Sequence, residues 1–312
     1  MIATRDAYGK ALVALGEQEP RVVVLDGDLS SSTKTGMFAK RFPDRFFNMG
    51  IAEQNLMGVA AGLSSVGKIP YASTFAIFAS GRAWEQVRQS IAYAELNVKI
   101  VATHSGVTVG EDGGSHQSVE DISLMRSIPG MTVIVPADAV ETEKVIMEIA
   151  RYRGPVFVRL GRIKVPTVFN DGCEFTIGRS STMADGTDVS IISAGVMTAK
   201  AVEAGKELSA RGIYARVINM STIKPIDEAA IVQAARQTGA IVTAEEHSII
   251  GGLGSAVAEV VVRNCPVPVE FVGVRDTFGT SGTSEELLEY FGLTTSQIIA
   301  SVERAIERKK RG

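Results

Sequence analysis

The sequence predicts an α/β protein with two domains, each a mostly parallel sheet flanked by helices. At about 150 residues per domain, the 312 residues indicate two domains, and a 45% hydrophobic content is sufficient for two cores. Short apolar runs alternate with amphipathic stretches along the chain, as parallel strands alternate with crossover helices. This alternation lapses once, at residues 171–186, which are polar and contain glycine. We therefore predict domains at residues 1–172 and 185–312.

Short runs, most of them rich in valine and isoleucine, predict the strands of both sheets. Strands buried on both faces lack a polar alternation, and these runs have that character. The predicted strands are residues 21–25, 98–103, 131–135, 156–160, 189–193, 215–219, 240–243 and 269–272.

Amphipathic stretches of crossover length justify the helices between these strands. The predicted helices are residues 4–16, 52–66, 82–94, 139–152, 198–211, 255–263 and 294–311. The last one ends in the basic run ERKKRG, which is typical of a solvated helix end.

Charge and composition exclude several classes of protein. With 32 basic and 35 acidic side chains the net charge is −3, too small for a nucleic-acid-binding surface. No apolar run approaches the ~20 residues of a membrane span, and Arg5 and Asp6 interrupt any signal peptide, so we expect a cytoplasmic protein with no membrane partner. The two cysteines, Cys173 and Cys265, are isolated and predict neither a disulfide nor a zinc site.

Two glycine-containing segments resemble nucleotide-binding loops without completing them. In the first, residues 62–69, Ile69 stands where a P-loop needs Ser or Thr, so we interpret Gly67 as a helix C-cap. In the second, residues 251–257, the third glycine of the dinucleotide fingerprint is missing.

The segment THSGVTVGEDGGSH is the first candidate site. It contains His104 and His116, two of the three histidines in the chain, together with Glu111 and Asp112. The segment follows the predicted strand at residues 98–103, so it lies at the carboxyl end of the sheet, where open α/β sheets bind ligands. Such a glycine-rich loop predicts a polar small-molecule site.

Two further segments combine unusual residues. In NMGIAEQNL, Glu53 lies in the first turn of an otherwise apolar helix, where a carboxylate also offsets the helix dipole. In YASTFAIF, Phe75 and Phe78 lie three residues apart, which core packing explains equally well.

These three segments together carry a family resemblance. The strings GIAEQN, STF-x-x-F and TH-x₅-GEDG-x-x-H, in this order, resemble the thiamine diphosphate-binding pyrimidine domain of transketolase. The resemblance continues through PVFVRLGR, TAEEHSIIGGLGSAV and FGTSG into a transketolase C-terminal domain. It implies a transferase of the pentose phosphate pathway that moves a two-carbon ketol unit from a ketose phosphate to an aldose phosphate.

The resemblance also implies the cofactor contacts. Glu53 corresponds to the family glutamate that holds the aminopyrimidine by a hydrogen bond to its ring nitrogen. Phe75 and Phe78 correspond to the residues that stack on that ring, and Asp28 lies near the cofactor.

The substrate contacts follow from the same resemblance. Asp112 and His116 would meet substrate hydroxyls, and the residues around the sugar phosphate would be Arg5, Ser32, His104 and Arg162. Glu53, His104 and His116 are therefore the expected catalytic residues. Arg159 remains an alternative to Arg162, or a surface charge at a strand end.

Departures from the family pattern define a further expectation. Gly81 replaces a tyrosine that many transketolases have beside the pyrimidine, and Gly114 replaces a common proline. No Gly-Asp-Gly occurs, although the family binds the diphosphate and its metal through a Gly-Asp-Gly…Asn pattern. We therefore expect no metal ligand here. The partner would be an N-terminal transketolase subunit that carries this pattern with Mg²⁺ or Ca²⁺, in an α₂β₂ heterotetramer.

Three alternatives stay open at this point. A 1-deoxyxylulose-5-phosphate synthase shares the GIAEQ and GED-G-x-x-H patterns, although the pair Thr103 and His104 favours transketolase. A 2-oxo-acid dehydrogenase β subunit is split in the same way, and a non-catalytic module could retain the fold. His247 has no assigned role, and its domain is expected to support an interface.

Overall fold

Three sheets organise residues 1–311, the part of the chain described by the computed structural model. Their strands are β1 Ile2–Ala3, β2 Val22–Asp26, β3 Phe46–Asn48, β4 Ile69–Phe75, β5 Lys99–Thr103, β6 Thr132–Ile134, β7 Val156–Arg159, β8 Lys164–Val165, β9 Ser181–Ala184, β10 Val189–Ser193, β11 Ala215–Asn219, β12 Thr222–Lys224, β13 Ile241–Ser248 and β14 Val269–Val274. The mostly parallel α/β architecture confirms the predicted fold class.

The helices pack on the faces of these sheets. They are α1 Thr4–Gln18, α2 Ser30–Thr33, α3 Gly36–Arg41, α4 Glu53–Ser65, α5 Trp84–Gln86, α6 Asp121–Arg126, α7 Ala139–Arg151, α8 Met197–Ala210, α9 Glu228–Thr238, α10 Leu253–Asn264, α11 Ser284–Tyr290 and α12 Thr295–Arg311. Shorter 3₁₀ segments occupy Pro43–Arg45 and Val107–Asp112, and π turns occupy Phe78–Arg82 and Val87–Ala92. Between residues 1 and 311, no helix has the length and apolar character to cross a membrane.

The larger sheet has the strand order β12-β6-β7-β5-β4-β2-β3, and the second has the order β14-β13-β10-β11-β9. In the first, β2, β4, β5, β6 and β7 run parallel, and each is buried along its whole length. Helices cover both faces, which explains the near-continuous apolar strands. The carboxyl ends of β2, β4, β5 and β7 therefore meet along one edge of the sheet.

The two larger sheets are joined by shared packing and by one exchanged strand. Strand β12 follows β11 of the second sheet but pairs antiparallel with β6 of the first, with Thr222 opposite Ile134. One apolar cluster includes Val133 and Val135 beside Ile192 and Ile218. Strand β9 precedes residue 185 and pairs with β11. The exact domain limits stay a prediction.

The eight predicted strands and most predicted helices match observed elements within a few residues, and Gly67 has the left-handed φ of +87° expected just after helix α4. Six strands were not predicted, namely β1, β3, β4, β8, β9 and β12. In β4, the longest of these, Pro70, Ser73 and Thr74 interrupt the apolar run. The predicted helix at residues 82–94 is wrong as a continuous α-helix, since π turns flank α5. Strand β13 extends to Ser248, five residues further than predicted.

Candidate active site

The residues predicted for the site gather at the carboxyl edge of the larger sheet. Asp28 follows β2, Phe75 ends β4, His104 follows β5, and Arg162 follows β7. Glu53 is the first residue of α4, whose preceding segment crosses the same edge. Parallel pairing therefore brings together residues that are far apart in the sequence, as expected for a ligand site in an open α/β sheet.

An aromatic cluster forms the centre of the site. The Phe75 ring stacks on the His104 ring, with 3.9 Å between centroids, and lies parallel to Phe78 at 6.0 Å. The His116 ring meets Phe78 edge-on at 5.6 Å and Phe75 at 6.4 Å. Phe75 is buried, whereas Phe78 is partly exposed. The cluster thus presents one accessible aromatic face beside two imidazoles.

His104 is held as a neutral imidazole. Arg5 Nη1 lies 3.0 Å from His104 Nε2, and because a guanidinium only donates, Nε2 is the acceptor. The proton is therefore on Nδ1, which donates to Thr103 Oγ1 at 2.8 Å. Burial, together with the charges of Arg5 and Arg162, lowers the pKa of His104 to about 3.

Cationic groups surround His104. Burial, more than the nearby charge of Arg162, lowers the pKa of the Arg5 guanidinium from its usual value. Arg5 Nη1 also donates to the Ser32 main-chain oxygen at 3.1 Å, whereas its buried Nε has no hydrogen-bond partner among residues 1–311. An unpartnered buried donor beside this positive charge fits an anionic ligand.

The remaining substrate candidates are Arg162, which follows β7, and Asp112 and His116 in the loop after β5. Arg162 Nη1 donates to the Val109 main-chain oxygen and lies 3.3 Å from Glu111 Oε2. Asp112 is exposed at the end of the 3₁₀ segment, and His116 lies beside the aromatic cluster. The structure therefore brings His116 to Phe75 and Phe78, but it shows no contact between Asp112 and that cluster.

Glu53 and Phe78 line a cavity of about 450 Å³. The Glu53 side chain is only 2% exposed, and its Oε2 accepts a hydrogen bond from Arg82 Nη1 at 2.9 Å. Arg82 also lies over the Phe78 ring, with Cζ 4.6 Å from the centroid. Sequence reasoning missed Arg82, although its neighbour Gly81 marks a departure from the family pattern.

Asp28 lies on the same cavity in a strained conformation. Its φ of +66° falls in the left-handed region that non-glycine residues rarely adopt. Asn48 Nδ2 donates to Asp28 Oδ1 at 2.8 Å and connects the ends of β2 and β3. The structure thus places Asp28 on the cavity that Glu53 and His116 also line.

Arg159 has neither of the roles considered for it from the sequence. Its side chain is 4% exposed, and Nε donates to Asp121 Oδ2 at 2.7 Å, so it is not a surface charge. Nη2 donates to the main-chain oxygens of Ser118 at 3.2 Å and Glu246 at 2.8 Å. These bonds commit the guanidinium to the contact between the two sheets, which leaves Arg162 as the candidate anion ligand.

Two residues of β13 in the second sheet support the loop after β5 and the helix α6 that follows it. Glu246 Oε1 accepts the Thr108 amide at 2.7 Å, and its buried carboxylate fills the space next to Gly106. His247 Nε2 accepts the Ser123 amide at 3.3 Å. Both residues position the first half of the chain. In the sequence both lie in the family-like segment TAEEHSIIGGLGSAV, which indicated no specific role for either.

No group of three or more His, Cys, Asp or Glu side chains with metal-binding geometry occurs within residues 1–311. The donor set at the described site instead consists of arginines, imidazoles and one buried carboxylate. This set suits an anion and a planar heterocycle.

Comparison with known proteins defines the class to which this fold and site belong. Family models of the transketolase pyrimidine binding domain and the transketolase C-terminal domain match residues 1–167 and 178–298, respectively. The chain therefore belongs to the transketolase family, whose members depend on thiamine diphosphate.

Several similar proteins are described as a section or a subunit of a transketolase, or as a split gene transketolase. The chain is 50% identical over 310 residues to a putative transketolase C-terminal section of Methanocaldococcus jannaschii, covering 98% of this chain and 96% of that one. It is 45% identical to a 6-deoxy-6-sulfo-D-fructose transketolase subunit of a Clostridium species, covering 98% and 95%. A split gene transketolase, solved as an inactive β₄ tetramer, matches with a TM-score of 0.93 and 58% identity, covering 99% and 100%.

Proposed function

We propose that this chain is the β subunit of a split transketolase that transfers a two-carbon ketol unit from a ketose phosphate to an aldose phosphate. One observation supports this proposal most directly. The same edge of the larger sheet carries a buried carboxylate beside an aromatic face and a cationic pocket around the neutral His104. The carboxylate with its aromatic face suits the cofactor, and the cationic pocket suits the sugar phosphate, which are the two ligands that such a reaction requires. The proposal also includes residue limits 1–172 and 185–312 for the two domains.

The residues present fit the aminopyrimidine part of thiamine diphosphate. Glu53 offers a buried carboxylate at the edge of the cavity, and Phe78 offers a partly exposed ring face. An aminopyrimidine has the complementary polar edge and stacking faces. When bound, thiamine diphosphate supplies a nucleophilic carbon for two-carbon transfer. Glu53 would hold the pyrimidine by its ring nitrogen, while Phe75 and Phe78 exclude water and Asp28 borders the site.

The residues around His104 would bind and orient the sugar phosphate. Arg5 and Arg162 supply positive charge, and the unpartnered Nε of Arg5 provides a donor for a phosphate oxygen. His104 adds no charge to the pocket, because its imidazole is neutral near pH 7, and its Nε2 accepts from Arg5 and so orients that guanidinium. Ser32 lies against Arg5, and Asp112 and His116 would orient the hydroxyl groups of the sugar.

A second chain would complete the active site. We infer that an N-terminal transketolase subunit with the Gly-Asp-Gly…Asn pattern binds the diphosphate with Mg²⁺ or Ca²⁺, in an α₂β₂ assembly in the cytoplasm. The absence of Gly-Asp-Gly from the sequence supports this inference. The split-gene relative was described as inactive when it formed a tetramer of β chains alone, which supports the same division of labour.

The most detailed part of the proposal concerns which sugars are the substrates. The pentose phosphate pathway is the expectation from the family resemblance, but one relative is named for 6-deoxy-6-sulfo-D-fructose and another for apulose 4-phosphate. A screen of ketose donors should therefore include both phosphorylated and sulfonated sugars. Both anionic groups would suit the arginines near His104.

The test starts with the tagged chain purified from its own source under native conditions. We expect a stoichiometric second chain with the Gly-Asp-Gly…Asn pattern in the mass spectrum of the eluate, and ketol transfer by the complex. Glu53→Gln should co-purify equally well but lose at least ~100-fold in kcat, because the cofactor contact is lost. A chain that elutes alone would refute the split enzyme. Full activity of Glu53→Gln would instead favour a non-catalytic module or another site.

A further inference from the structure

The Arg82 guanidinium occupies both contacts that Glu53 and Phe78 offer to a planar ligand. Nη1 donates to Glu53 Oε2 at 2.9 Å, while Cζ lies 4.6 Å from the centroid of the Phe78 ring. A guanidinium is planar, donates hydrogen bonds from its edge and stacks on aromatic rings. An aminopyrimidine in this cavity would make the same two kinds of contact. The two groups therefore compete for the same place.

Local backbone geometry directs Arg82 into the cavity. The π turn at Phe78–Arg82 is wider than an α-helical turn and shifts the phase of the residues that follow it. Gln54 Nε2 donates to the Arg82 main-chain oxygen at 3.3 Å and fixes this turn against α4. A Cβ at Gly81 would meet no atom within 4 Å, so the adjacent space is open. Arg82 rather than its neighbour covers Phe78.

The two members of this ion pair differ greatly in exposure. Glu53 is 2% exposed and Arg82 is 50% exposed. A buried carboxylate without a partner is costly, so Glu53 needs a donor whenever no ligand is present. An exposed arginine gains little from its ion pair and can leave for solvent at low cost. Arg82 is therefore suited to satisfy Glu53 temporarily.

We propose that Arg82 is a displaceable competitor that sets the affinity of this chain for its cofactor. The inference rests on the proposed function. In the cofactor-free protein Arg82 occupies the contacts of Glu53 and Phe78 within the cavity, and binding requires its release from them. The apparent association constant for the cofactor then equals the intrinsic association constant multiplied by the fraction of molecules in which Arg82 has left the cavity. If Arg82 were instead a fixed wall of the pyrimidine site, in the position of the family tyrosine, its substitution would have the opposite effect and weaken cofactor binding.

The first test measures cofactor binding by the complex of this chain with its co-purified partner. Wild type, Arg82→Ala and Arg88→Ala complexes are stripped of cofactor and titrated with thiamine diphosphate at fixed Mg²⁺ by calorimetry. We expect about fivefold tighter binding for Arg82→Ala. Arg88 is an exposed arginine on the following turns that bonds to Gln89, and its variant should bind like wild type. Unchanged or weaker binding by Arg82→Ala would overturn the proposal.

The second test uses the isolated chain and needs no cofactor. Arg82→Ala should lower the thermal midpoint by about 2 °C, since it leaves the Glu53 carboxylate buried without a donor. In a Glu53→Gln background the same substitution should have no such effect, because no buried charge remains. Equal losses in both backgrounds would contradict the ion pair in solution.

The outcomes separate this inference from the proposed function. If no partner co-purifies, or the wild-type complex does not bind thiamine diphosphate, the proposed function is wrong. The role of Arg82 as a competitor is then wrong as well. If the wild-type complex binds and Arg82→Ala does not bind more tightly, only the role of Arg82 fails.

Discussion

Arg159 Nε donates to Asp121 Oδ2 at 2.7 Å, and both side chains are almost completely buried between the two larger sheets. The same guanidinium donates to the main-chain oxygen of Glu246 on β13. Glu246 in turn accepts the Thr108 amide in the loop that carries the substrate candidates. A buried charge thus connects the second sheet to the geometry of the site.

Removing Arg159 should destabilise the whole chain. Arg159→Met leaves Asp121 charged and buried, which we expect to lower the free energy of unfolding by about 3 kcal/mol. Urea unfolding followed by circular dichroism measures this change. Arg162→Met is the matched control, because Arg162 is 34% exposed, and its loss should cost less than ~1 kcal/mol. Equal costs for the two variants would contradict a structural role of Arg159.

Removing the Glu246 carboxylate should loosen the loop locally. Glu246→Ala deprives the Thr108 amide of its acceptor, so we expect hydrogen exchange in residues 104–116 to accelerate about tenfold. Glu246→Gln keeps an acceptor oxygen and should exchange nearly as slowly as wild type. Hydrogen exchange with mass spectrometry checks both variants. Acceleration spread evenly over the chain would indicate global destabilisation instead.

Arg5 should determine the affinity for a phosphorylated sugar. Arg5→Ala removes the donor whose Nε has no protein partner within residues 1–311. We expect KM for a sugar phosphate to rise about tenfold with little change in kcat, as for loss of one charged hydrogen bond. Steady-state kinetics of the complex provide the measurement. Arg41→Ala, which removes an exposed partner of Glu17, should leave KM unchanged.

Glu141 should make the stability of the chain depend on pH. Burial raises the pKa of its carboxyl from 4.5 to about 7, although the Ala137 amide and Asn219 Nδ2 donate to it. Between pH 4.5 and about 7 the folded chain therefore binds more protons than the unfolded chain, so Glu141 contributes stability that is lost as pH rises.

Chemical unfolding of wild type and Glu141→Gln across this range tests the effect. The stability of wild type relative to Glu141→Gln should fall by about 2 kcal/mol from pH 4.5 to pH 7. Glu143→Gln, on the exposed face of the same helix, should follow wild type. Parallel curves for wild type and Glu141→Gln would mean that Glu141 does not titrate in this window.

Local sequence patterns were sufficient for the fold class, and they predicted a candidate site at the carboxyl edge of the larger sheet. Apolar runs predicted strands such as β2 and β7, since burial on both faces imposes such runs. Glycine-rich sequence after β5 marked the loop with His104 and His116. Strand β4 escaped prediction, because Ser73 and Thr74 break the apolar run while helices still bury it.

Contacts between distant residues were decided by the tertiary structure alone. Arg82 lies 29 residues from Glu53, and Arg159 lies 87 residues from Glu246. Periodicity reports which face of an element is buried, but it contains no information about which charged side chains meet across packed elements. That choice depends on strand order, on the π turn after Phe78 and on the approach of the two sheets. Thus the residue types and their order predicted a family and a site, whereas folding determined that an arginine occupies that site.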